Sequence, residues 1–460
     1  MTGLFLDERR LLDGPWQAFE RDVARALIYA GFQDVRIVGG TGDMGADVVG
    51  VKDGKVWVVQ CKFTSTSSPP KAAVEEVIQA SRFYEADVLA LATSRPAGKA
   101  LNDELARAKR LGLTVHLLSP SKLIQLVQGV PMKPPTARAL RPYQEEAAER
   151  LFDALEETGR GQIVLATGLG KTVVMAEVAA RLFSAGILEN GRMLVLADKR
   201  ELVRQLQIGF WAQLPKTVPT HLLAPEEEPS FWDGITFATV QTVHGRLQNL
   251  PPFDAIFVDE AHHIGARTYQ DVLQKLAPVR LAGVTATPWR GDEFDIDTLL
   301  GQPLVRIGIS DGLKYGYLSE VDYRLLADNI DWEFVQKASN FGYTLTELNK
   351  RLIIPTRDEE AARIVADNFR RERRRAGLVF SPSLKHADHF TATLRLFGIR
   401  AESIHGGMIG RERDRLMSQF KRGLIDILCA VDLFNEGVDV PELWLKLGDD
   451  GLRRAAYRGG

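Results

Sequence analysis

Ala166-Thr167-Gly168-Leu169-Gly170-Lys171-Thr172 is the stretch that decides how this chain folds. Backbone N–H groups converge on an anion only where a loop curls tightly, and glycine permits that curl without a Cβ clash. The run Gly161-Gln162-Ile163-Val164-Leu165 before it reads as a short buried strand, and Val173 to Phe183 after it has helical periodicity. Strand, glycine loop and helix in this order aim a helix N-terminus at phosphates. Thr167, Gly168 and Gly170 would cradle them, Lys171 would hold the β- and γ-phosphates of ATP, and the Thr172 hydroxyl would ligate Mg²⁺. Ala166 stands where the strict pattern has its first glycine, so the loop needs a second element beside it.

That element is Asp254-Ala255-Ile256-Phe257-Val258, an apolar strand with Asp259 and Glu260 at its carboxyl end. Ligands of a parallel α/β sheet bind at this end. Asp259 offers Mg²⁺ a hard oxygen, and Glu260 can polarise an attacking water. An acidic pair after a strand also reads as a solvated loop or as charge favoured by a helix N-terminus, and the upstream phosphate loop decides against both. His262 and His263 invite a zinc reading, yet no further His or Cys lies near them at ligand spacing.

The chain has 460 residues, enough for about three domains of ordinary size. An apolar fraction of 45% and a charged fraction of 26% are those of a soluble globular protein. No apolar run is long enough to span a bilayer, and the N-terminus lacks a basic segment followed by an apolar core, so a cytoplasmic protein is expected. Two cysteines, Cys61 and Cys429, exclude a disulfide framework. With 58 basic against 60 acidic residues, contact with nucleic acid would rest on local grooves rather than an overall field.

Helix and strand signals alternate up to about Gln128, and Gly129-Val130-Pro131-Met132-Lys133-Pro134-Pro135-Thr136 reads as a stiff linker. From Leu140 onward, strands near Ile163, Leu194, Ile235, Ile256 and Leu281 alternate with helices and predict a mainly parallel sheet. A second such array opens with Leu378-Val379-Phe380 and runs through Ile404 and Ile427. The spans expected are an N-terminal domain over 1–128, a linker over 129–138, a first lobe over 139–305, a connection over 306–376 and a second lobe over 377–460.

In the N-terminal region Asp47 follows a glycine-rich approach and opens an apolar strand, while Gln60 and Lys62 lie on the next strand. Residues two apart share a strand face, so Gln60 and Lys62 point together and Cys61 points away. Paired across a hairpin, this face presents a carboxylate, an amide oxygen and an ammonium, the set that metal-assisted phosphodiester hydrolysis asks for. Trp16 to Ala30 is an amphipathic helix, and Glu20, offset from its apolar stripe, is placed to reach such a metal. The arrangement resembles the Mrr-like restriction endonucleases, a branch of the PD-(D/E)xK nucleases, from Trp16 to Val127. The resemblance implies Asp47 and Gln60 as metal ligands, Lys62 as catalytic lysine and Glu20 as accessory acid. Gln60 replaces an acidic residue, which lowers the charge offered to a metal. Cys61, without a His partner in the motif, reads as a small buried residue.

Downstream, the chain resembles superfamily 2 helicases and translocases of the DEAH kind from Leu140 to Glu442. The implied fold is α/β throughout: a restriction-endonuclease-like domain followed by two RecA-like parallel-sheet lobes, the second incomplete. Leu140-Arg141-Pro142-Tyr143-Gln144 resembles the adenine-reading element, with Gln144 offering one donor and one acceptor. Ala197 to Gln205 and Thr239-Val240-Gln241-Thr242 resemble strand-tracking motifs, and Thr285-Ala286-Thr287-Pro288 the motif coupling hydrolysis to movement. His405-Gly406-Gly407 and Asn435 to Pro441 resemble second-lobe elements in which Gly437 and Asp439 meet the nucleotide or its coupled loop. Trp289 reads either as a base-stacking residue or as ordinary packing. Arg370 to Arg375 read as a solvated helix face or a phosphate contact.

Family members carry a further strand and then a Q-x-x-G-R-x-x-R motif whose arginines stabilise transition-state charge, a loss costing ~10³–10⁵ in turnover in related chemistry. Here Leu445 to Arg454 reads as a degenerate remnant with no strand before Asp449 and Asp450, so the second lobe is expected to be truncated. The reading as a whole is an ATP-dependent translocase of double-stranded DNA coupled to a Mg²⁺-dependent endonuclease, for restriction or defence, with further subunits as possible partners. Two rivals stand beside it: a repair helicase whose nuclease-like domain only grips DNA, and an ATP-binding remnant with little turnover.

Overall fold

The architecture is that of a computed structural model, which describes residues 3–38, 45–286, 294–318, 321–325, 355–371, 376–408, 410–431, 445–448 and 453–457. The chain divides into two compact units, Met1–Lys314 and Tyr315–Gly460. No helix among the described residues is long and apolar enough to cross a membrane.

The first unit begins with α1 (Glu8–Asp13), α2 (Trp16–Tyr29), β1 (Gln33–Ile37), β2 (Val48–Lys52) and β3 (Lys55–Lys62). It continues with α3 (Ala73–Phe83), β4 (Val88–Thr93), α4 (Lys99–Arg110), β5 (Val115–Leu118) and α5 (Pro120–Gly129). The five strands lie side by side in chain order, β1 to β3 antiparallel and β3 to β5 parallel. Side-chain alternation along β3 divides its residues between two cores. Val59 and Cys61 pack with Phe19 and Val23 of α2, whereas Val56 and Val58 pack with Val77 and Ala80 of α3. Gln60 and Lys62 share the parity of Val58 and so lie on the α3 face.

The same unit holds α6 (Pro142–Glu157), β6 (Arg160–Leu165), α7 (Lys171–Ala185), β7 (Arg192–Ala197), α8 (Arg200–Trp211), β8 (Thr220–Leu223) and β9 (Gly234–Thr239). After them come α9 (Val240–His244), β10 (Ala255–Asp259), α10 (Arg267–Leu276), β11 (Arg280–Thr285), α11 (Ile296–Leu300), β12 (Val305–Ile307) and α12 (Ile309–Lys314). Seven strands form one parallel sheet in the order β12-β6-β11-β10-β7-β9-β8. Strand β11 therefore separates β6, which feeds the phosphate loop, from β10, which ends in Asp259.

The two halves of this unit interlock. Trp211, at the end of α8, is buried in the same core as Phe5, Leu27 and Val127. Buried Arg21 on α2 grips the buried Glu227 carboxylate with both guanidinium ends, one at 2.8 Å. Fully buried Arg25 donates to the Val218 carbonyl at 2.8 Å and stacks over Phe5. Lys216 Nζ donates to the carbonyls of Val127, Gln128 and Val130 at 3.0, 2.8 and 2.7 Å. The proline-rich stretch read as a linker is thus fastened to the sheet domain that follows it.

In the second unit β13 (Val321–Leu325), β14 (Gly377–Phe380), β15 (Ala401–His405), β16 (Ile427–Val431), β17 (Leu445–Gly448) and β18 (Arg453–Tyr457) form a sheet in the order β13-β18-β17-β14-β16-β15. The helix Pro355–Arg371 lends Ala362, Val365 and Ala366 to its core, so packing begins ahead of Gly377. One expectation is corrected here. Leu445–Gly448 is itself a strand, parallel to β14, and Arg453–Tyr457 folds back antiparallel to it. Leu445-Lys446-Leu447 alternates with the period of a strand, but the run is too short to stand out from sequence.

Candidate functional site

The first centre lies at the β2–β3 hairpin. The register Val48↔Val59 sets Asp47 opposite Gln60, and the Asp47 N–H donates to the Val59 carbonyl at 3.0 Å. Asp47 is buried, and its Oδ2 accepts from Gln60 Nε2 at 2.7 Å and from the Cys61 N–H at 2.6 Å. Gln60 is 4% exposed, and its Oε1 has no hydrogen-bond partner among the described residues. Lys62 Nζ stands 2.5 Å from Glu76 Oε2, on α3, an acid that the sequence motif does not contain. Glu20 is buried on α2, the helix on the Cys61 face. Burial first, then the charges of Asp47 and Glu20, push the Cys61 thiol well up, which makes it a packing residue rather than a thiolate.

A hard cation asks for oxygen donors. Among the described residues no three His, Cys, Asp or Glu side chains cluster at metal-holding spacing, so the amide oxygen must count for a set to exist. The Gln60 amide meets the Asp47 carboxylate through Nε2, and its buried Oε1, left without a partner among the described residues, is the further hard oxygen that a divalent ion asks for.

The second centre lies at the carboxyl ends of β6, β11 and β10. Gly168 and Gly170 adopt φ of 88° and 81°, the left-handed region that glycine favours. A Cβ on Gly170 would stand 2.4 Å from Gln144 Nε2. Gln144 is buried and both ends of its amide are engaged within the chain: Oε1 accepts from the Arg141 N–H and Nε2 donates to the Leu169 carbonyl, each at 2.9 Å. Tyr143 also donates to Leu169 O, so this segment braces the phosphate loop. Each end of the amide keeps one further position, a second N–H on Nε2 and a second lone pair on Oε1, so these bonds fix its orientation without using up its capacity to pair. Gly209 on α8 makes room for Thr172, since a Cβ there would lie 2.7 Å from Thr172 Cγ2.

Lys171 Nζ lies 3.3 Å from Glu260 Oε1. Glu260 sits at φ 49°, a strained junction between β10 and the turn Ala261–His263. Burial works to raise its pKa, but the hydrogen bond with His262 and the Lys171 ammonium outweigh it and hold Glu260 at about 2. Burial, reinforced by the Glu260 charge, lifts Asp259 to about 6. His262 Nδ1 stands 2.9 Å from Thr285 Oγ1 and 3.3 Å from Glu260 Oε2. His263 turns away, 3.1 Å from Asp198 Oδ2, whose other oxygen accepts from the Tyr269 hydroxyl at 2.8 Å. The two histidines thus serve hydrogen bonds to neighbouring motifs. Asp198, Arg200, Thr239, Gln241 and Thr242 line one open groove, which brings together the two segments read as strand-tracking. Asp198 and Tyr269 carried no signal beyond their motif or helix in sequence. Gly437, Asp439, Thr287 to Trp289, Glu372 to Arg375, Asp449 and Asp450 lie outside the described residues.

Comparison with known proteins matches three family models in succession. They are a restriction endonuclease catalytic domain of the Mrr type over residues 11–127, the res subunit of type III restriction enzymes over 138–290, and the helicase conserved C-terminal domain over 360–445. A 51.5 kDa protein of Lactococcus phage (isolate 7-9) is 27% identical over 290 residues, 60% of this chain and 55% of that protein. The endonuclease subunit of type I restriction enzyme EcoAI from Escherichia coli is 24% identical over 285 residues, 56% of this chain and 34% of that protein. Among solved structures, the ATP-dependent type ISP restriction-modification enzyme LlaBIII bound to DNA superimposes with a TM-score of 0.52 at 17% identity. The match covers 92% of this chain and 34% of that one, and shows likeness of fold. The chain spans about half the length of the first curated relatives it matches. The chain therefore carries, in order, a restriction endonuclease domain of the Mrr catalytic kind, a domain like the res subunit of type III restriction enzymes and a helicase C-terminal domain.

Proposed function

We propose that this chain is an ATP-driven translocase of double-stranded DNA that carries its own Mg²⁺-dependent endonuclease and serves in restriction or defence. The observation that supports it most is the presence, in one compact unit, of the Lys171–Glu260 pair behind a glycine phosphate loop and the Asp47–Gln60–Lys62 cluster. The nuclease spans 1–128 and the first lobe 139–305, with the second lobe opening at the helix Pro355–Arg371.

In the motor, Lys171 would exchange Glu260 for the γ-phosphate, which frees that carboxylate to orient water; Thr172 and Asp259 would hold Mg²⁺. Thr285 and His262, touching Glu260, would report the change to the coupling segment. In the nuclease, Asp47 and Gln60 would hold the divalent ion, which when bound supplies an activated water and charge neutralisation. Lys62 would orient the attacking oxygen, and buried Glu20 would assist from the α2 side. DNA along the Asp198–Thr242 groove would keep the first lobe on the strand. Both cysteines are free and buried, which suits a reducing cytoplasm.

The test is supercoiled plasmid with Mg²⁺, with and without ATP, beside Asp47→Ala and Lys171→Ala. The reading expects no nicking from the first variant and no ATP stimulation from the second. Equal nicking by Asp47→Ala removes the nuclease assignment, and a parent protein that binds plasmid without cutting favours the DNA-gripping alternative.

A further inference from the structure

The nuclease centre contains a carboxylate that its motif does not. Glu76 stands on the first turns of α3 with Oε2 at 2.5 Å from Lys62 Nζ. The backbone leading into Asp47 rests on the same residue: a Cβ on Gly45 would stand 2.4 Å from the Glu76 carbonyl oxygen and 2.8 Å from Glu76 Cβ. Gly45 takes φ 84°, so this approach is open to glycine and to little else. The loop bearing Asp47 and the helix bearing Glu76 are thereby held together at one point.

Charge gives this contact a role. Asp47 and Lys62 cancel, and Gln60 adds a dipole but no charge, which leaves the α3 face of the centre neutral without Glu76. A dication binds more tightly as ligand charge rises. Two buried polar atoms on this face have no partner among the described residues: Gln60 Oε1, and the hydroxyl of fully buried Thr93, which is in register with Lys62 on the next strand. Such orphans cost free energy and call for an occupant that satisfies them.

We propose that Glu76 joins Asp47 as an acidic residue on the α3 face of the nuclease centre, supplying the charge that Gln60 lacks and positioning the Lys62 ammonium. The inference rests on the nuclease reading given above. An ion pair between partly exposed side chains would add little to stability, so metal binding, not melting, separates the two roles.

The experiment titrates Ca²⁺ calorimetrically into the full chain, without nucleotide, and measures the Mg²⁺ dependence of plasmid nicking. The part of the isotherm removed by Asp47→Ala defines the nuclease site. Glu76→Gln is expected to weaken Ca²⁺ there by about 10–100-fold and to shift the Mg²⁺ midpoint of nicking upward by a similar factor, with an unchanged melting temperature. Glu75→Gln, on the exposed neighbour, should leave both at parent values. Parent-like Ca²⁺ affinity and Mg²⁺ midpoint in Glu76→Gln, with Asp47→Ala inactive, would reduce Glu76 to a surface partner of Lys62 and overturn the proposal. Parent-like binding and nicking by Asp47→Ala would overturn the nuclease reading itself.

Discussion

At the phosphate loop, Lys171 meets Glu260, Glu260 meets His262 and Thr285, and His263 meets Asp198, so each of these side chains finds a partner inside the chain. At the hairpin centre of the same unit, Gln60 Oε1 and the Thr93 hydroxyl are buried with no partner among the described residues. The first arrangement is closed on itself, and a ligand must displace existing contacts to enter. The second is short of contacts, and a ligand adds what is missing. Buried polar groups left unsatisfied cost about 1–3 kcal/mol each, so the hairpin centre stores a penalty that the phosphate site does not.

The largest effect should come from breaking the closed site. Lys171→Ala is expected to lower ATP turnover by about 10³-fold, the scale on which a positioned charge donor acts. Nicking without ATP should persist; phosphate release measured beside plasmid nicking checks both halves. Loss of ATP-free nicking would mean that the two centres are not chemically separate.

One substitution applied in both centres then tests the contrast directly. Thr285→Val removes a hydroxyl bonded to Glu260 and His262 and should destabilise the chain by about 1–3 kcal/mol. Thr93→Val removes an unpartnered hydroxyl from a fully buried site and should stabilise it by about 1 kcal/mol. Denaturant melts of the two variants should therefore move in opposite directions, and movement in the same direction would dissolve the distinction.

The smallest effect is a control outside both centres. Burial works to raise Asp233, but His221 and Arg10, the latter at 2.6 Å, outweigh it and hold the carboxyl at about 2. A carboxyl lowered in the fold stabilises fully above its ordinary 3.8 and loses that contribution as pH falls towards about 2. Melting temperatures of the parent and Asp233→Asn should therefore differ at neutral pH and converge across that acid window.

Much of this was legible because the signals were local. A glycine loop between strand and helix, and an acid pair closing an apolar strand, place Lys171, Asp259 and Glu260 before any packing is known. The Asp47–Gln60 pairing follows from hairpin register alone. What sequence withheld depends on elements brought together by the fold. Glu76 reaches Lys62 only because α3 lies over β3, and Glu227 reaches Arg21 only because β8 and its flanks meet α2. Gln144 offered pairing groups, and the fold adds what sequence did not show: Arg141 and Leu169 each engage one end of its amide and so fix its orientation. Strands β8, β12 and β17 are too short for periodicity to announce them.

Trp211 is among the largest side chains fully enclosed in this protein, and it fills the interior of a domain that precedes it in the chain. A ribosome emits the N-terminal domain first and the phosphate loop next, and α8 follows only after both. Until that helix arrives, the earlier domain has a hole where an indole belongs. Order of synthesis thus leaves the N-terminal interior open until part of the sheet domain that follows has been made.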